Sequence, residues 1–384
     1  MTTLIFPPIV ALRYKICQLC QCIPVLLEIL NSSIISHIMV KLPSTSITRA
    51  RRKTNSVTMQ DVARLADCAT STVSLFIRKP ELVQAKTGGR IAAAIERLGY
   101  VPNMMAGGLA AAGATKVVSM IVPSLRNAFF ATTTDALQTD LAAAGVQLLL
   151  GHTEYDPARE EALVRASLAW SPTALVLTGL EHSRGTRQML LARATPVIEM
   201  WELGSHPLDM MVGFDHRAAG VTAIQHLFSV GCRQPVFLSA RMHQDQRAAQ
   251  RGAGALSAMR EKGCQPLHFT DREPASVAIG AALMAQALKS DVEIDGVACS
   301  NDSIALGALF ECQRQMITVP EQIKIIGFGD LSFTPSTNPA LSTIKPPGEK
   351  IGKEVARLAL LGPGHGAEGK IVDVGFELIQ RQTT

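Results

Sequence analysis

The chain has 384 residues, a formal net charge of +5 and eight cysteines. That length exceeds one ordinary domain, and no clean apolar run approaches the roughly 18–20 residues that a membrane span needs. The cysteines are scattered, apart from Cys17, Cys20 and Cys22, which lack a second Cys/His pair at a suitable spacing, so neither a metal site nor a disulfide framework is expected.

Residues 1–56 form an extension without a regular pattern. A signal peptide would place its charge first, whereas Arg13 and Lys15 follow an apolar start. Met39 is the expected true initiator, giving a short basic lead. The run Arg49, Arg51, Arg52 and Lys53 is either an arm that reaches an anionic partner or a solvated lead-in.

Residues 57–102 have the pattern of a small helical head. Val62, Ala63, Leu65 and Ala66 make the apolar face of a helix over about 59–66. Thr70 and Ser71 open a second helix as candidate caps, with Thr72, Val73 and Phe76 continuing the packing. Ile91, Ile95 and Leu98 mark a third helix, which runs into Tyr100-Val101-Pro102-Asn103. Two short helices across a tight turn, then a third, make a helix-turn-helix, in which the second helix enters the major groove and its first residues meet base edges. Thr70 and Ser71 are therefore the expected base readers. Thr72 and Leu75 belong to the same reading segment, and Ser74, Lys86 and Asn103 are expected near phosphates. Between residues 40 and 110 there are eleven Lys and Arg against four Asp and Glu, which leaves the remainder slightly acidic. A basic head suits phosphate contact. The alternative, a three-helix bundle with no DNA role, is weakened by the YVPN element and the sensor-like body downstream of it.

From Lys116 onward, apolar runs alternate with helical patterns: 117–123, 146–151, 174–179, 196–201, 210–215, 235–240, 295–300 and 323–329. Continuous Val/Ile/Leu strands between helices predict parallel sheets covered on both faces. About 270 such residues predict two α/β subdomains. Ligands in these folds sit at the carboxyl ends of the strands.

The order of these parts, with YVPN closing the head, resembles the LacI/GalR family of sugar-responsive transcription regulators over residues 57–381. The resemblance implies an α/β fold: a helix-turn-helix head (57–102), a hinge helix or linker (103–115), and a periplasmic-binding-protein-like sensor of two subdomains (116–384). It implies operator DNA and a small sugar or sugar acid as partners, a homodimer, no cofactor, no metal, no membrane, and a bacterial cytoplasmic location. It makes Leu109 the hinge leucine that wedges into the minor groove. It places ligand-facing residues at Ser124, Asn127, Phe129 and Phe130, a hydroxyl acceptor at Asp215, and a guanidinium at Arg251. Asn301 is divided between ligand contact and capping, Asp302 is read as a helix cap, and Glu199 and Trp201 are expected to shape the pocket. The segments PVIEMWEL, VGFDH, DGVACSNDSIALGALFECQ and VDVGF are most similar to the gluconate-type branch, which points to a sugar-acid effector.

Several positions depart from the family pattern. Asp67 replaces a glycine in the turn. Leu75 stands where an arginine is usual, removing a possible guanine contact worth roughly 1–3 kcal/mol. Gly88 and Gly89 each cost a helix about 1 kcal/mol. Met104 replaces a basic residue, and Gly329 occupies the place of a usual aspartate. These departures leave a sensor with weakened operator binding as the alternative. No P-loop, GxSxG, HExxH or dinucleotide fingerprint is present, so an enzyme is not expected. His152, His182 and His216 are read as loop or surface residues.

Overall fold

The computed structural model describes residues 57–101, 116–125, 129–361 and 370–384. The chain divides into two compact units, one ending at Pro102 and the other beginning at Asn103. The extension, with its cysteines and Arg49–Lys53 run, and the hinge positions Asn103, Met104 and Leu109 lie outside the described residues.

The head holds three helices, α1 (Met59–Leu65), α2 (Thr70–Arg78) and α3 (Ala85–Leu98). A capping box starts α1: the Thr58 side chain accepts from the Asp61 amide, and the Asp61 carboxylate accepts from the Thr58 amide. Val62, Ala66, Val73 and Ile91 pack into one small core, each at most 1% exposed. Leu65, expected on that face, is 42% exposed instead. Helix α2 begins without a side-chain cap, because its N-cap is Ala69 and not Thr70 or Ser71. Helix α3 ends on Gly99 in the left-handed region, a common helix stop.

Two head departures have local reasons. Asp67 takes a left-handed backbone (φ 49°), which aspartate tolerates better than most residues, and its carboxylate lies 3.7 Å from the Arg90 guanidinium. Gly88 is buried under the Phe76 ring, where an added Cβ would come within 3.0 Å of the ring. Gly89 faces open space, so no contact explains it.

The second unit contains two six-stranded sheets. In the first, the order is β11-β5-β4-β3-β1-β2, with β1 Val117–Val122, β2 Gln147–His152, β3 Ala174–Thr178, β4 Val197–Met200, β5 Met210–Gly213 and β11 Ile371–Asp373, all parallel. In the second, the order is β12-β10-β9-β8-β6-β7, with β6 Pro235–Ala240, β7 Leu267–Asp271, β8 Gly296–Cys299, β9 Lys324–Phe328, β10 Ser342–Lys345 and β12 Glu377–Ile379. Only β12 runs antiparallel to its neighbour. Helices α4 (Phe129–Ala143), α5 (Pro157–Ala169), α6 (Arg184–Leu191) and α11 (Gly348–Leu361) belong with the first sheet. Helices α7 (His216–Ser229), α8 (Gln246–Glu261), α9 (Val277–Ala287) and α10 (Asp302–Arg314) belong with the second. Strands β3, β4, β5, β6 and β8 are buried along their whole length, as expected of parallel strands covered on both faces.

The chain passes between the two sheets three times: from β5 to α7, from β10 to α11, and from β11 to β12. Phe214 and Phe376 lie on two of these crossings with ring centroids 6.0 Å apart, and Phe214 also stacks on Phe328 at 6.2 Å. Phe130 and Trp201 extend this aromatic cluster from the first subdomain. Helices α7 and α8 cross in close contact: a Cβ added at Gly220 would collide with the Arg251 carbonyl, and one at Gly254 with the Arg217 carbonyl. This crossing sets where the N-terminal half of α8 delivers its side chains.

Candidate DNA-reading face and effector cleft

On α2, Thr70, Ser71, Ser74, Leu75 and Arg78 fall on one arc of the helix, opposite the buried Val73 and half-buried Phe76 and Ile77. Thr70, Ser71 and Arg78 are exposed, while Thr72, Ser74 and Leu75 are half-buried. Lys86 is exposed in the first turn of α3. The sequence pattern does not single out Arg78, yet it is the one arginine on this arc, its Nε donating to the Ser74 carbonyl at 3.2 Å. The uncapped N-terminus of α2 leaves first-turn amides for an outside acceptor, an arrangement suited to phosphate.

In the second unit, a cleft of about 620 Å³ opens at the carboxyl ends of strands from both sheets. Ser124 follows β1, Tyr155 follows β2, Arg241 follows β6, and Asn301 and Ser303 follow β8. Ser124, Phe129, Arg251 and Asn301, all expected there, line it, and Asn127 lies outside the described residues. Asn301 also caps α10, its Oδ1 accepting from the Ile304 amide at 3.0 Å.

Four expected positions are not brought to the cleft. Trp201 is 2% exposed, packs among Phe129, Phe130 and Phe214, and does not line the cleft. Phe130 is 4% exposed and packs edge-on against Trp201, so it is core. Asp215 is exposed and caps α7 by accepting from the Ala218 amide at 2.9 Å. Glu199 is 1% exposed and turns to the opposite face of the first sheet, where its carboxylate accepts from the Leu208 amide and lies 3.3 Å from His182 Nε2. Alternation along β4 explains this: Glu199 points away from the face that its neighbours Ile198 and Met200 give to the inter-sheet core.

Of the histidines read as loop or surface residues, two have buried side chains, although His182 does lie in a loop after β3. The His182 side chain is fully buried between Glu160 (2.9 Å from Nδ1) and Glu199. Burial pulls its pKa down, but the hydrogen bond to Glu160 and the adjacent Glu199 carboxylate together outweigh that and raise it to about 9. His216, 1% exposed, sits at the start of α7. Its Nε2 lies 2.7 Å from the Trp201 carbonyl, which can only accept, so Nε2 carries the proton and Nδ1 accepts from Arg251 at 2.8 Å. Burial first, and then the charges of Arg251 and Arg247, push its pKa well below the usual histidine value, consistent with that neutral tautomer.

Arg251 is thus held on three sides. One terminal nitrogen donates to His216, the other donates to the Ser300 carbonyl at 3.0 Å, and the guanidinium carbon lies 3.9 Å from the Phe328 ring centroid. It is 5% exposed, and burial lowers its pKa to about 10, so it remains a cation at neutral pH. No carboxylate lies within ion-pair distance of it among the described residues. A buried cation whose direct partners are all neutral is thereby placed in a cleft that Arg241, Asp245 and Glu154 also line.

Asp302 and Gly329 also have structural explanations. Asp302 is fully buried, accepting from Thr343 at 2.7 Å and from the Leu331 amide at 2.9 Å, so it ties loop to strand and is not the cap. Burial raises its pKa to about 6. Gly329 has φ 137°, and a Cβ there would collide with the Phe129 ring. The missing aspartate is therefore a packing requirement in this chain.

The geometry is that of a DNA-binding head and a two-subdomain sensor, and comparison with known proteins agrees. The model of bacterial regulatory proteins of the lacI family matches residues 58–103, and that of the periplasmic binding protein-like domain matches residues 224–384. The chain belongs to the LacI family: it is a DNA-binding transcriptional regulator and not an enzyme. It is 37% identical over 336 residues to the HTH-type transcriptional regulator GntR of Pseudomonas aeruginosa, covering 87% of this chain and 97% of that one. It is 31% identical over 333 residues to the HTH-type transcriptional regulator IdnR of Escherichia coli, covering 86% and 99%. Among solved structures, a LacI family transcriptional regulator from Silicibacter pomeroyi is similar at a TM-score of 0.79 and 30% identity, over 85% of this chain and 99% of that one. The lac repressor dimer bound to operator shares the fold at a TM-score of 0.75 and 22% identity, over 85% and 99%.

Proposed function

We propose that this chain is an effector-released repressor of sugar-acid catabolic genes, acting as a homodimer on a pseudo-palindromic operator in the bacterial cytoplasm. The effector is gluconate or a related sugar acid, bound in the cleft between the subdomains. The observation that carries the reading is that cleft: hydroxyl and amide groups of Ser124, Ser303 and Asn301 suit a polyol, and two guanidiniums, Arg241 and Arg251, line it with no carboxylate within ion-pair distance of either among the described residues. The GntR and IdnR relatives support the same class.

On the DNA side, Thr70 and Ser71 read base edges, with Thr72 and Leu75 in the same segment. Ser74, Lys86 and Asn103 meet phosphates, and Leu109 of each chain wedges near the operator centre. Residues 57–102 are the head, 103–115 the hinge, and 116–384 the sensor. The three crossings between subdomains let a bound ligand change their relative orientation. Release follows if the effector binds the DNA-incompetent state more tightly.

The test is fluorescence anisotropy of the full chain on promoter DNA beside its own gene, at two salt concentrations, with and without gluconate. Specific binding relieved by gluconate is expected. Specific binding indifferent to gluconate and its keto and idonate relatives refutes the effector class. Only weak, salt-sensitive, sequence-blind binding makes the chain a sensor whose head has lost its operator.

A further inference from the structure

The sugar-acid reading leaves open which cation meets the carboxylate, and Arg251 is the first candidate from sequence. Its geometry argues against it. Both terminal nitrogens of Arg251 are engaged by His216 and Ser300, and its flat face lies on Phe328. A carboxylate is held strongly through two parallel N–H donors; two of the five donors of Arg251 are already taken and its flat face is covered, so it offers a carboxylate fewer donors than a guanidinium with no internal acceptors, although its Nε has no partner.

The cleft holds a second guanidinium. Arg241 follows β6 directly and lines the same cavity. Its backbone is over-determined: the amide donates to the Asp271 carbonyl at 2.8 Å, and its own carbonyl accepts from the Gln244 and Asp245 amides at 2.9 Å each. These bonds hold it at φ 54°, a left-handed conformation that is unfavourable for a non-glycine residue and is retained where the surroundings enforce it. Glu154 and Tyr155, on the opposite wall, are left-handed too, at φ 53° and 64°. Such positions cluster at ligand clamps.

The neighbouring charges are already engaged elsewhere. Asp245 accepts from the Tyr155 hydroxyl at 3.4 Å and the Ala248 amide at 3.3 Å, and faces Arg247 at 3.5 Å. Glu154 faces His152 at 3.3 Å. Arg241 has no carboxylate within ion-pair distance among the described residues; its guanidinium lies 5.3 Å over the Tyr155 ring, and its buried Nε has no hydrogen-bond partner.

We propose that Arg241, and not Arg251, receives the effector carboxylate, with the Tyr155 ring behind it on the opposite wall. Arg251 is a buried prop that fixes His216 and the Ser300 carbonyl. Arg241 spans to the first subdomain through Tyr155, so an anion docked on it joins the two walls and couples binding to subdomain orientation. The assignment rests on the sugar-acid reading above and adds that a neutral polyol of the same chain length is rejected for want of the carboxylate.

Isothermal calorimetry on the full chain tests it, with gluconate, a ketogluconate and idonate as acids and sorbitol as the neutral comparator. Wild type should bind at least one acid and discriminate against sorbitol. Arg241→Gln should weaken that acid by about 30-fold or more, the loss of a charge-assisted contact. Arg241→Lys, which keeps the charge but not the fork, should fall between them. Melting curves without ligand control for folding, and the Lys variant keeps the test open if the Gln variant does not fold. If wild type binds an acid and both folded variants bind it as tightly, Arg241 is not the carboxylate site, while the sugar-acid reading survives. If wild type binds none of the acids, or binds sorbitol equally well, that reading falls and this assignment falls with it.

Discussion

Replacing His182 with glutamine should flatten the pH dependence of sensor stability. In the folded chain His182 is protonated between Glu160 and Glu199, with a pKa of about 9 against 6.5 for a free imidazole. A folded pKa above the unfolded one means stabilisation that is complete below pH 6.5 and lost as pH rises through 9. The difference corresponds to on the order of 3 kcal/mol at the acid end of that window. The other large shifts fall elsewhere: Asp302 reaches about 6, and Cys232 and Cys312 about 12. His216 is depressed, so its contribution is lost as pH falls below 6.5, outside the window. Glutamine keeps much of the bulk but leaves Glu199 buried without a cation, a change worth about 3–5 kcal/mol when one partner of a buried pair is removed. Trp170 and Trp201, the only tryptophans in the chain, both lie in the same subdomain as His182, so their fluorescence reports on that body during urea unfolding. At pH 6 the variant should unfold at distinctly lower urea than wild type, and by pH 9 the two midpoints should converge. A wild-type midpoint constant from pH 6.5 to 9, or a variant with the same slope as wild type, would refute the buried cation.

Three further outcomes are expected. Leu75→Arg places a guanidinium at a half-buried position on the arc of α2 that carries Thr70, Ser71 and Arg78, and should tighten specific DNA binding by about 1–3 kcal/mol, read as anisotropy on operator against scrambled DNA; unchanged discrimination would mean that this arc does not meet base edges. Gly329→Ala forces a Cβ into the Phe129 ring at φ 137° and should destabilise the sensor by about 2 kcal/mol or more, seen as a lower urea midpoint and altered Trp201 fluorescence. Gly89→Ala meets nothing within 4 Å in an exposed helix and should raise head stability by about 0.5–1 kcal/mol, measured as slower amide exchange along α3.

The eight apolar runs along the sequence all become strands; burial on both faces accounts for the runs of β3, β4, β5, β6 and β8, whereas β2 is a largely exposed edge strand whose leucines are not explained that way. Strands β7, β10, β11 and β12 give no such signal: they are short, and β7, β11 and β12 are partly exposed edge strands without a continuous apolar run. The cleft is half legible. The rule that polar residues follow strand ends points equally to Ser124, Arg241 and Asp215, and nothing local separates them. Asp215 is taken by its own helix, as an N-terminal aspartate often is.

By itself, the sequence determined the class of this protein: a helix-turn-helix with its basic surround, parallel strands in series, and the family pattern over residues 57–381. These properties are written in periodicities of a few residues and need no knowledge of distant partners. The tertiary structure decided what each charged side chain is free to do. Two donors of Arg251 are taken because His216 lies 35 positions before it in sequence and Ser300 49 positions after it, and both close on it. Arg241 is left with donors to offer because no carboxylate closes on it among the described residues, and Glu199 is withdrawn from the cleft by the pleat of β4 and by His182. Burial and pairing depend on which segments meet in space, and a buried charge is governed by those partners and not by its neighbours along the chain.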